Sequence, residues 1–313
     1  MKKYIVYSAV ALILGAGLSA CSEDELSSES VITVDQVQPT EFDKWLQANY
    51  VNTYNVEVMY RYYDVQSDHN YYTIPADYDS SVKLAHIIKY VCLEAFDEAG
   101  GIAFTRANFP KLLYFIGDWE YNNNGTFILG TAEGGKKILM TGVNEIDSHL
   151  DNGAELNHFY LKTIFHEFTH IMNQTKDYSA GYKLVTGSGY VAGSWSDPPY
   201  NGGGDEANYY LHHGFISSYA QHSDSEDFAE MFSIYVTNTP EQWEAWLKEA
   251  ETAPSDGKDV DGRGAIESKL SMVKAYMTES WGIDMDELRD IVLRREADIV
   301  AGRVNLTDIS LQH

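Results

Sequence analysis

The sequence predicts an α+β fold, a small mixed sheet with helices followed by a mostly helical second half, with a cleft between two lobes. Short β-prone runs bounded by turn residues cluster before Val143, and from Leu156 onward apolar residues recur at helical spacing. The order is thus sheet with helices, then helices, which argues for α+β. With 313 residues, 44% apolar and 13% aromatic, the chain can fill a substantial core.

At the amino end, Lys2 and Lys3 precede an uncharged apolar run, Ile5 to Leu18, too short for a comfortable membrane span and matching the apolar region of a secretory leader over residues 1–20. Leu18-Ser19-Ala20-Cys21 resembles the bacterial lipobox, in which small residues lead to a cysteine that is lipidated and becomes the new N-terminus. Cys21 is therefore the expected lipidation site and membrane anchor, leaving Cys92 without a disulfide partner. Residues 21–33, opening with Ser22-Glu23-Asp24-Glu25, read as an acidic tether. An acidic run directly after such a cysteine resembles the surface-export signal of some Gram-negative lipoproteins, so the expected location is the bacterial outer membrane, lipid-anchored and exposed at the cell surface. The formal net charge of −25, made more negative by loss of a leader carrying two lysines, argues against nucleic acid as a partner.

The folded domain is expected over residues 34–313, with a sheet-bearing lobe at 34–174 and a helical lobe at 175–313. Thr40 to Leu46 has the pattern of a short capped helix, Val56 to Tyr62 alternates as a strand, and Ser80 to Ala99 reads as a helix stopped by Gly100-Gly101. Strands are expected at Leu112 to Ile116, Thr126 to Thr131 and Lys137 to Val143, the last two joined by a turn at Glu133-Gly134-Gly135. Helical spacing then marks Leu156 to Asn173, Ser225 to Val236, Pro240 to Glu251, Ala265 to Ser280 and Met285 to Ile299. The long stretch Thr175 to His222 between the first two holds Tyr190, Trp195 and Tyr200, which read either as a lid over a site or as a surface loop packing its own aromatics.

Leu161 to Gln174 reads LKTIFHEFTHIMNQ. On a helix His166 and His170 project side by side, so both imidazoles reach one ion, while Glu167 sits where it can take a proton from water at the ion's open position. One Zn2+ is the implied cofactor. A third ligand is needed, and Lys176 stands where the metzincin extension has its third histidine. The best donor is SEDFAEMFSIYV, Ser225 to Val236, whose Glu226 and Glu230 lie one turn apart on a narrow acidic face. Glu226 is the expected ligand and Glu230 the residue that orients a ligand histidine through its free N–H. Asp227, Glu230, His212, His213 and His222 remain alternatives.

HEFTH followed by SSYAQHSDSEDFAEMF resembles the gluzincin metallopeptidases, particularly the lethal-factor-like type with its zincin-like fold. In that type a tyrosine seven residues before the ligand glutamate assists catalysis; Tyr219 occupies that position before Glu226. The lipobox and tether add a resemblance to zinc-metallohydrolase lipoproteins associated with outer-membrane nutrient-import systems. The resemblance implies zinc-dependent hydrolysis of a peptide or protein substrate, with Glu167 and Tyr219 catalytic, and an outer-membrane import complex as a partner. In such enzymes an edge strand lies beside the substrate, and Lys137 to Val143 is the expected one because it precedes the histidine helix. A binding lipoprotein that keeps the fold without turnover, and a hydrolase of non-peptide amides, are the rival readings.

Overall fold

The computed structural model describes residues 38–123, 125–133, 136–204 and 206–311. The expected leader, Cys21, the acidic tether and the glycines of the Gly134-Gly135 turn lie outside them. Helix α1 starts at Glu41–Leu46, where the Thr40 hydroxyl accepts from the Asp43 N–H (3.2 Å) and the Asp43 carboxylate accepts from the Thr40 N–H (2.6 Å). It continues through a π turn, Gln47–Val51, to Asn52–Tyr54. Helix α2 runs from Tyr78–Ile87 through a π turn, Ile88–Leu93, to Glu94–Gly100, and α3 is Ile102–Asn108.

The strands are β1 (Glu57–Met59), β2 (Leu112–Phe115), β3 (Glu120–Tyr121), β4 (Phe127–Ile128), β5 (Gly130–Glu133) and β6 (Lys137–Met140). The main sheet has the order β1-β2-β6-β5, with the first three parallel and β5 antiparallel to β6. Two expectations change. The run Thr126 to Thr131 is not one strand: it breaks at Leu129, its first part pairing with β3 in a separate hairpin and its second with β6. The segment Lys137 to Val143 supplies an inner strand rather than an edge, because β6 is flanked by β2 and β5; the edges are β1 and β5. Alternate residues of the inner strands serve opposite faces. Leu113, Phe115, Ile138 and Met140 enter the main core, while Tyr114, Ile116 and Leu139 form a smaller cluster on the other side with Met59.

Helix α4 runs from Gly153–Leu156 through a π turn, Asn157–Leu161, to Lys162–Thr175. Its first N–H groups are capped by the Asn152 side chain. Phe168 anchors its apolar face, with ring centroids 5.0 Å from Phe96 and 5.1 Å from Phe109. The stretch up to His222 is mostly compact turns, with short helices α5 (Tyr182–Thr186) and α6 (Tyr209–His212). Helices α7 (Asp224–Thr237), α8 (Pro240–Glu249), α9 (Gly262–Tyr276) and α10 (Met285–Val300) follow the expected order. Among the described residues no helix is long and apolar enough to cross a membrane.

Helix α7 is the centre of the second half. Every residue from Asp227 to Thr237 is buried, and the helix packs against α4, α9 and α10. Its burial encloses Asp227, whose Oδ2 lies 2.5 Å from Lys269 Nζ on α9, both side chains fully buried. The Tyr190 hydroxyl donates to the same carboxylate (2.9 Å), and Lys269 also donates to the Gly214 carbonyl (3.0 Å). Burial pushes the Asp227 pKa up and the Lys269 pKa down, and each is pulled back by the other's charge. Lys269→Met leaves Asp227 buried without its countercharge and is expected to cost about 3–5 kcal/mol in urea denaturation, whereas the double variant Asp227→Leu/Lys269→Met recovers a large part of that loss.

Candidate metal centre

Helices α4 and α7 run antiparallel: His166 meets Glu226, Lys162 meets Glu230, and Asn157 Nδ2 donates to the Thr237 carbonyl (2.8 Å). This alignment brings three donor atoms into a triangle. His166 Nε2 lies 3.0 Å and His170 Nε2 3.1 Å from Glu226 Oε2, and the two nitrogens are 3.1 Å apart. Donors at zinc-ligand distances in tetrahedral geometry are separated by about 3.3 Å. Without a cation the three atoms must share protons, and one proton between two imidazole nitrogens and a carboxylate oxygen cannot satisfy all three contacts. The residues therefore fit a small divalent ion. Among the described residues this is the group of three whose donor atoms converge in this way.

The surrounding groups hold that triangle in place. His166 Nδ1 lies 2.9 Å from Glu230 Oε1, although the N–H points off the oxygen, so the contact is a close charge interaction rather than an aligned hydrogen bond. Glu230 in turn accepts from Lys162 Nζ (3.0 and 3.2 Å) and from Ser217 Oγ (2.7 Å). Burial favours neutral His166, but Glu226 and Glu230 outweigh it and push its pKa up to about 10. Burial likewise acts to raise Glu226 and Glu230, yet the two imidazoles on the first, and Lys162 with His166 on the second, hold both well below the usual carboxylate range. Burial raises Glu167, opposed by His166 and His170.

Tyr219 stands at the rim. Its ring centroid is 5.9 Å from that of His166, and Trp195 meets it edge-on at 4.9 Å. Burial first, then the charges of Glu226 and Glu167, push the phenol's pKa up, so it stays a proton donor. His166, Glu167, Tyr219 and Trp195 all line one cleft of about 1100 Å³, with Ile128 to Thr131 as another part of its wall. Trp195 thus belongs to the cleft, while Tyr190 of the same segment packs inward on Asp227.

The alternative donors lie elsewhere. Asp227 is committed to Lys269, His212 sits between Glu206 and Glu249, and His213 contacts Asp256. His222 lines the cleft beside Tyr219 but stands outside the triangle. Lys162 and Ser217, which fix Glu230, are not among the site residues expected from the sequence. Lys162 had a usable signal, four residues before His166 on the same helical stripe; Ser217 had none.

Two outcomes follow for protein stripped by a chelator and titrated with zinc. Because His166 is protonated below about pH 10, binding is expected to release at least one proton per ion near pH 8, and apparent affinity to rise with pH; calorimetry in buffers of different ionisation enthalpy measures this. Glu226→Ala is expected to weaken zinc binding by at least about a hundredfold in a competitive chelator titration, with far-UV circular dichroism unchanged.

A family described as "Putative zinc-binding metallo-peptidase" matches residues 35–286. The chain is also similar to a solved structure from Bacteroides caccae ATCC 43185 described in the same words, at 36% identity and a TM-score of 0.70, over 90% of this chain and 100% of that one. A comparison with curated proteins finds no match. The family match spans the positions of His166, His170 and Glu226, and with that match over residues 35–286 the chain belongs to the zinc-binding metallo-peptidases.

Proposed function

We propose that this peptidase works with one zinc ion held by His166, His170 and Glu226, with Glu167 as general base and Tyr219 as the oxyanion donor. The carrying observation is that His166, one corner of the donor triangle, lines the same cleft as Glu167 and Tyr219, while His170 and Glu226 line a second, smaller opening. A zinc ion there supplies Lewis acidity toward a water nucleophile and the scissile carbonyl. Glu167, made more basic by burial, accepts a proton from the attacking water and passes it to the leaving nitrogen as the C–N bond breaks. Tyr219, kept protonated, donates to the oxygen on which negative charge develops. Glu230 keeps the His166 ring in place from behind. An extended peptide pairs with β5, the edge strand beside the cleft.

Glu167→Gln is expected to retain zinc and lose at least about a thousandfold in peptide hydrolysis, and Tyr219→Phe to lower kcat by about a hundredfold with little change in KM. Assays on a peptide library with metal quantified in parallel check both. A Glu167→Gln variant that still cleaves at the wild-type rate removes the mechanism.

We also propose that a single peptidase domain over residues 34–313 is carried on a lipid anchor at Cys21, at the outer face of a bacterial outer membrane beside an import complex. The lipobox-like Leu18 to Cys21 and the acidic run after it support this reading. Cys21→Ala is expected to move the protein from the membrane fraction to the soluble fraction and to abolish incorporation of labelled fatty acid.

A further inference from the structure

The cleft does not stop at the metal centre. Ala154, His158, Lys162 and His166 stand at successive four-residue steps on α4 and all line it, a stripe about 18 Å long. Glu230 of α7 and Asn238, just past its end, line the facing side, and the arm reaches Gln242 and Trp246 of α8. An arm of that length accommodates about five residues of extended peptide.

The charge in this arm is uneven. Among the described residues that line the cleft, Lys162 is the only lysine or arginine, in a chain of formal net charge −25. The carboxylates of that lining are Glu167, beside the donor triangle, and Glu230. Glu230 is 1% exposed and its charge is engaged inward by Lys162, Ser217 and His166. The Lys162 side chain is 24% exposed. An ammonium has three N–H donors; two reach Glu230 and at least one is left for the cleft. Lys162 lies one helical turn from His166, about 6 Å along the axis, within reach of a residue next to the scissile bond.

Resting on the peptidase reading above, we propose that Lys162 is a specificity-determining residue that receives a substrate carboxylate close to the scissile bond. In this part-buried site a carboxylate takes up the remaining donor in a charge-assisted hydrogen bond, which its amide counterpart cannot match. The carboxylate comes either from an aspartate or glutamate side chain flanking the bond or from the free C-terminus of a peptide that ends within the arm.

The test measures kcat/KM on paired peptides with the zinc-loaded full chain. One series exchanges Glu for Gln at each of the three positions on either side of the cleaved bond; the other ends one to three residues past it as free acid or amide. The expected result is at least about tenfold preference for the charged member in one series, which names the source. In Lys162→Gln the preference falls to within about twofold, and Lys162→Arg restores it. A residue that merely positions Glu230 would change all rates alike and leave the ratio intact. Where Lys162→Gln lacks measurable turnover, the same pairs compete for binding to zinc-loaded Glu167→Gln with and without Lys162→Gln, and the affinity ratio is read instead. Wild-type protein that treats every pair alike within about twofold, or a Lys162→Gln variant that keeps the wild-type ratio, overturns the proposal. Cleavage without preference removes this inference alone; cleavage of no peptide removes the peptidase mechanism with it.

Discussion

Of three carboxylates within about one turn of α7, Asp227 and Glu230 are buried and Glu226 partly so by the packing of that helix, and each requires a positively charged or N–H partner. Removing a carboxylate from water without one costs several kcal/mol. The fold answers with the imidazoles of His166 and His170 for Glu226, Lys269 for Asp227, and Lys162 for Glu230, which also shares His166. Neighbouring residues on a helix are rotated by about 100° from one another. Glu226 therefore faces α4 while Asp227 faces α9, and the ion pair on one side fixes the helix rotation that aims the other carboxylate at the histidines.

The segment before α7 depends on the same acids. Tyr190 donates to Asp227 and Ser217 donates to Glu230, so the chain leading to Tyr219 is tied to α7 at two points. Trp195 then braces the Tyr219 ring from the cleft side. Orientation of the phenol and of the Glu226 carboxylate is consequently set by one rigid helix rather than by two independent loops.

Much of this was legible in the sequence. The apolar spacing of Phe168, Ile171 and Met172, and of Phe228, Met231 and Phe232, marked both site helices to within a few residues, because long amphipathic periodicity is a local property. His166, Glu167 and His170 follow from that spacing, and Glu226 from its position one turn before Glu230. What escaped was non-local. What turns Asp227 away from the histidines is Lys269, which lies on another helix and leaves no mark on the sequence around Asp227. The run Thr126 to Thr131 is uniformly β-prone, and only its change of pairing partner at Leu129 divides it. Edge status is a property of strand order, so the strand nearest in sequence to the histidine helix was a poor guide. Lys162 reads in isolation as a solvated helix lysine; the carboxylate that draws it into the site comes from α7.

The separation of the donors along the chain governs when an ion can be captured. His170 and Glu226 are 56 positions apart, and the two come together only through the docking of α4 on α7. A chain in which these two helices have not yet docked presents two imidazoles but no third donor, and holds zinc poorly. Metal acquisition is thus a late event in the life of the molecule, a clasp fastened after the fold is complete, and a loaded ion certifies that both halves have reached their final arrangement.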